Sequence, residues 1–127
     1  MNIVDIERAI TSWIAGLLGM TVDRDVFRGG IPHGHDNAIG VLTNSEYADN
    51  SINFRDLKMQ ILGRFDDRDN ALRALDAVYR DLPRYGMLVR GTRIDAVTLD
   101  GDPAIFRDSS DGKDQFCVSV NLMVSCR

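Results

Sequence analysis

Lysine, histidine and cysteine are nearly missing from this chain, and each shortage removes a class of function. Lysine occurs only at positions 58 and 113; the other positive residues are arginines, and the formal net charge is −4 with a pI near 5.0. An acidic chain without a Lys/Arg cluster lacks the electrostatic footprint of a sequence-specific nucleic-acid binder. Arginine suits bidentate interface pairs better than lysine does, although a composition bias would produce the same skew. The only histidines are His33 and His35. A catalytic zinc needs about three protein ligands, so His33, His35 and Asp36 are weak metal candidates that need a further ligand from elsewhere. A solvated loop with a Pro-His turn accounts for them without an ion. Cys117 and Cys126 are an odd number of residues apart, so one strand puts them on opposite faces and no disulfide is expected between them. A reducing, cytoplasmic setting fits. The segment Ile3–Leu18 holds Asp5, Glu7 and Arg8, and reads as neither a signal peptide nor a membrane span.

Catalytic and cofactor signatures are also missing. Gly29-Gly30 and Gly34 form neither a dinucleotide nor a P-loop pattern. Asp66-Asp67-Arg68-Asp69 could hold Mg²⁺, but a helix start calls for acids there anyway. Asp108–Asp114 contains an Asp-Gly step yet lacks the closing Glu of a calcium loop, and a hairpin turn explains it. No serine or cysteine has a His–Asp pair suggested by spacing. The chain is expected to be non-enzymatic and to carry no cofactor.

What the chain does have is a sharp junction. Leu57, Met59, Ile61 and Phe65 share one face at a period of two; Ala71, Leu72, Leu75, Val78, Tyr79 and Leu82 then recur near 3.6. A strand thus runs into a helix across Asp66–Asn70, with Asp66 or Asp67 as N-cap and with Pro83 and Gly86 as the stop. Before it, Ile3, Ile6, Ile10, Trp13, Ile14, Leu17 and Leu18 form a first amphipathic helix ended by Gly19. Thr21–Arg28 is a weak strand, Gly29–His35 a loop, Asn37–Thr43 a strand, Asn44–Ser51 a polar turn or mobile loop, and Ser51–Phe65 a strand with a bulge or a change of exposure near Arg55-Asp56. After the second helix come strands over Leu88–Leu99 and Ala104–Arg107, a turn at Ser109–Gly112, and a closing strand. That last strand has Phe116, Val118, Val120, Leu122, Val124 and Cys126 on one face.

The order is α-β-β-β-α-β-β-β. Two helices with one apolar stripe each, and strands with one apolar face, predict an α+β fold: two helices packed on one face of a mostly antiparallel sheet. No repeat or linker divides residues 1–127, so one domain is expected. The uncovered sheet face carries Lys58, Gln60, Ser119 and Asn121, with Leu62 and Met123 favouring a partner. The loop from Arg28 through Ile31 and His33 to Asp36 is a second candidate contact.

Three stretches carry a family resemblance. They are the opening helix Ile3-Val4-Asp5-Ile6 through Trp13-Ile14-Ala15-Gly16-Leu17; Gln60-Ile61-Leu62-Gly63-Arg64 leading through Asp69-Asn70-Ala71 into Ala77–Leu82; and Pro103–Asp108 with Gly112 and the long final strand. Together they resemble the tail terminator (tail completion, or minor capsid) proteins of long-tailed bacteriophages. The resemblance implies a phage or prophage assembly protein. Such a protein forms a homo-oligomeric ring, six-fold in the family, that caps the tail tube and prepares head–tail joining. Its partners would be further copies of itself, the tail tube protein and a head-completion or connector protein. Its place would be the virion tail, and the host bacterial cytoplasm during assembly. Other readings are a neighbouring head–tail connector, a small metal-dependent enzyme built on His33 and His35, or a ligand-binding α+β domain.

Overall fold

The computed structural model describes residues 2–51, 54–109 and 112–126. The Asn2 side chain accepts from the Val4 amide at 2.8 Å and starts α1 (Ile3–Leu18); Gly19, at φ +66°, ends it. Only a residue that enters the left-handed region without strain can turn the chain there. Asp67 caps α2 (Arg68–Arg80) by accepting from the Asp69 amide at 3.0 Å. Asp81 follows as C-cap, so α2 stops before Pro83; Gly86, expected to help end the helix, lies inside a strand.

The strands are β1 (Val26–Arg28), β2 (Ala38–Ser51), β3 (Phe54–Phe65), β4 (Arg84–Val89), β5 (Thr92–Leu99), β6 (Ala104–Asp108) and β7 (Gln115–Cys126). They form one sheet in the order β1-β2-β3-β7-β5-β4, with β6 also paired to β7. Every pairing is antiparallel except β1 with β2. The α+β class and the layering are as the patterns predict, with one strand more. The single strand expected over Leu88–Leu99 is a hairpin, turned by Arg90 at φ +52° and Gly91 at φ +76°. Such two-residue turns favour Asn-Gly or Asp-Gly, so Arg-Gly hides half the signal.

Two further corrections concern the second and third strands. Asn44–Ser51, expected as a turn, continues β2. Backbone pairing in a long hairpin needs no apolar alternation, so its polar composition carries no strand signal. The irregularity expected near Arg55-Asp56 is present, but the extra residue is on β2: the register to β3 shifts between Ala48 and Ser51, opposite Arg55, and also between Thr43 and Tyr47. The register of β3 with β7 runs unbroken from Arg55↔Cys126 to Phe65↔Phe116. Ile52 lies outside the described residues, as do Ser110 and Asp111 of the expected Ser109–Gly112 turn; the Gly112 amide donates to the Ser109 carbonyl at 3.1 Å.

Both helices cover the same sheet face. α2 packs on β3 and β7 in the middle, while α1 touches β1 and β2 towards one end and β4 and β5 towards the other. The core holds Ile6, Ile10 and Ile14 of α1, Ala71 and Val78 of α2, and the inward residues of β3 and β7. Each fully buried Ile or Leu side chain stabilises the fold by about 1.5–3 kcal/mol. Tyr79, counted on the apolar stripe of α2, is instead exposed. Among the described residues no helix is long and apolar enough to cross a membrane.

Candidate interaction surface

The sheet face opposite the helices is built by the period-two geometry of β3 and β7. Lys58, Gln60, Leu62 and Arg64 alternate with the buried residues of β3, and Ser119, Asn121 and Met123 do the same on β7. Register places Lys58 beside Met123, Gln60 beside Asn121 and Leu62 beside Ser119. Gln60 Nε2 donates to Ser119 Oγ at 3.1 Å, and Ser125 Oγ donates to Asp56 at 2.7 Å. These are half-buried polar groups with partners on their own sheet.

The loop after β1 folds over one part of this face. Gly40 makes that possible: a Cβ there would lie 3.1 Å from the Ile31 nitrogen and 3.2 Å from Gly30. Ile31 then meets Leu62, Arg64, Phe106 and Cys117 around a cleft of about 240 Å³. Burial pushes the Cys117 thiol up, and the nearby Asp108 carboxylate pushes it the same way, so this cysteine is no activated nucleophile. Arg64 also lines the neighbouring cleft, with His33, Asp36, Lys113 and Gln115.

The candidate residues therefore separate into groups. Lys58, Gln60, Leu62 and Met123 share the open face, and Ile31 joins them at Leu62. His33 stands at the second cleft. Arg28 turns the other way: its Nε donates to Glu7 of α1 at 3.0 Å, and Thr43 Oγ1 donates to the same carboxylate at 2.5 Å. Of the metal candidates, His33 and Asp36 share the second cleft, and His35 is engaged elsewhere. His35 sets its ring edge-on to Phe27, with centroids 5.0 Å apart, while Asp36 accepts from Gln115 at 2.6 Å and from Lys113 at 3.4 Å. Among the described residues no group of three or more His, Cys, Asp or Glu side chains is placed to hold a metal ion. Arg64 was legible from the same alternation as Lys58, Gln60 and Leu62; its signal is its place two residues further along β3.

The fold resembles that of a virion chain. A chain from the solved structure "Virion of native gene transfer agent (GTA) particle" superposes with a TM-score of 0.50, covering 97% of this chain and 90% of that chain at 14% sequence identity. No protein-family model matches the sequence, and no curated protein matches it. The likeness at this identity is one of fold.

Proposed function

We propose that this protein is a non-enzymatic structural component of a phage-type particle. Within that particle it acts as a tail terminator, a ring that caps the tail tube, stops its growth and prepares it for head attachment. The observation that carries the reading is the fold likeness to a gene transfer agent virion chain over nearly the full length of both chains. The resemblance of the opening helix, the β3–α2 junction and the β6–β7 segment to tail terminators points the same way. The open sheet face and the loop over it offer the surface that a cap needs against further copies, the tube and a connector. A ring requires a heterologous contact whose rotation closes.

Electron microscopy of the purified protein mixed with tail tubes tests this reading. Six-fold rings of six 14.2-kDa copies, about 85 kDa, seated on tube ends support it. Tubes that keep growing with bare ends in excess protein overturn it.

A further inference from the structure

One side of the sheet has the shape and charge of a self-complementary edge. β6 pairs with the first part of β7 (Gln115–Ser119) and β5 with the later part (Leu122–Ser125), so β5 and β6 follow one another along the same side of β7. β4 stands one strand further out beside β5. Among the described residues nothing pairs with the outer edge of β6. The side is therefore a step: a ridge at β4 and, at β6, a recess one strand wide, about 4.8 Å.

Exposed apolar side chains collect on this step. Among the described residues five large hydrophobic residues are exposed, and Tyr85 (68%), Leu88 (74%) and Phe106 (52%) lie on β4 and β6, with Tyr79 close by around the cleft at Pro83. Edge strands with unpaired backbone groups and apolar side chains are templates for pairing unless covered. The charges divide between ridge and recess. Over residues 84–99, Arg84 (itself 3.5 Å from Asp81), Arg90 and Arg93 outnumber Asp95, a net +2; over the described residues 100–109 and 112–115, four aspartates outnumber Arg107 and Lys113, a net −2.

We propose that this edge binds a second copy of the chain about a two-fold axis normal to the sheet. β4 of each copy enters the recess of the other and pairs with its β6. The rotation sets the arginine-bearing ridge of one copy against the aspartate-bearing recess of its partner, twice over. Leu88 is adjacent in sequence to the inward-facing Met87, and Phe106 pairs with Cys117 on the outward side of β7. Both therefore lie on the open face, and the rotation, which preserves faces, brings Leu88 of one copy near Phe106 of the other. The contact is isologous, whereas the tail cap needs a heterologous one, so either proposal can fail without the other.

The test is a cross-link in the full chain. In a Cys117→Ser background, needed because Cys117 is the register partner of Phe106, the double variant Leu88→Cys with Phe106→Cys, mildly oxidised, is expected to give a covalent pair of two 14.2-kDa chains on denaturing gels, sensitive to reductant. Each single variant is expected to stay at single-chain mass. A charge exchange gives a second readout by sedimentation: Arg84→Asp with Arg90→Asp, and separately Asp100→Arg with Asp102→Arg, should each lose the pairing alone and regain it when mixed. A double-cysteine variant that remains at single-chain mass, or charge variants that associate as the parent does, would overturn the proposal.

Discussion

Trp13 Nε1 donates to Asp81 Oδ2 at 2.9 Å, joining the middle of α1 to the C-cap of α2 across 68 residues of sequence. The other oxygen of Asp81 takes Arg84 at 3.5 Å. Asp81 thus closes the second helix through its backbone N–H and, through its carboxylate, holds the first helix and the start of β4. Trp13→Phe keeps most of the apolar ring and removes the donor. It should cost about 1.5–3 kcal/mol of stability, the net worth of a bond to a charged group. Urea unfolding with an unchanged slope measures it; no shift in midpoint would mean that the bond contributes nothing.

Glu7 is the corresponding tie at the other end of the sheet, accepting from Arg28 of β1 and Thr43 of β2. Glu7→Ala leaves a half-buried guanidinium and a hydroxyl without their acceptor. Bonds to charged groups are the stronger kind, so a loss of about 2 kcal/mol is expected. Glu7→Gln, which retains an acceptor for Thr43, should recover part of it. Equal losses for both variants would show that charge, not geometry, dominates.

Two glycines should respond to alanine with opposite signs. At Gly63 a Cβ would meet Val118 Cγ2 at 2.5 Å and Phe65 Cε2 at 2.7 Å, inside the core. Overpacking of this kind costs about 1–3 kcal/mol. At Gly16, inside α1, nothing lies within 4 Å and the backbone is helical. Alanine there should stabilise by about 0.5–1 kcal/mol. Thermal or chemical denaturation of the pair checks both signs together.

Burial pushes the Cys126 thiol up to about 11, with Asp95 and Asp56 adding to the effect. The ordinary value is 9.0. The folded state therefore holds this proton more tightly than the unfolded state does. The resulting stability is fully present below pH 9 and is lost as pH rises through about 11. Compared with Cys126→Ala, the parent should lose stability more steeply over that range. Parallel curves for the two proteins would contradict the assignment.

Much of the fold was legible in the residues. The alternation of β3 and β7 names their buried and open faces because side chains on a strand have a period of two, and the stripes of α1 and α2 name what covers them. The Arg90-Gly91 turn was not legible, since arginine is an uncommon occupant of a left-handed turn position, and with it went the knowledge that Arg84–Val89 is an edge. Tyr79 misled because helical spacing places it beside Val78 and Leu82 without saying where the sheet ends. Of the candidate surface, the sheet face could be read directly. Arg28 could not, since its partner Glu7 is distant in sequence and only the fold brings them together. The cover of Ile31 over Gly40 likewise depends on a close approach that spacing does not encode.

The most direct test of the central claim is tail length in particles made without this protein. Deleting the gene in the strain that carries it, and imaging the tails by electron microscopy, should give tails of unregulated, excessive length with no heads attached, restored to uniform length by the gene supplied in trans. Tails of normal length joined to heads in the deletion strain would contradict the tail-cap account.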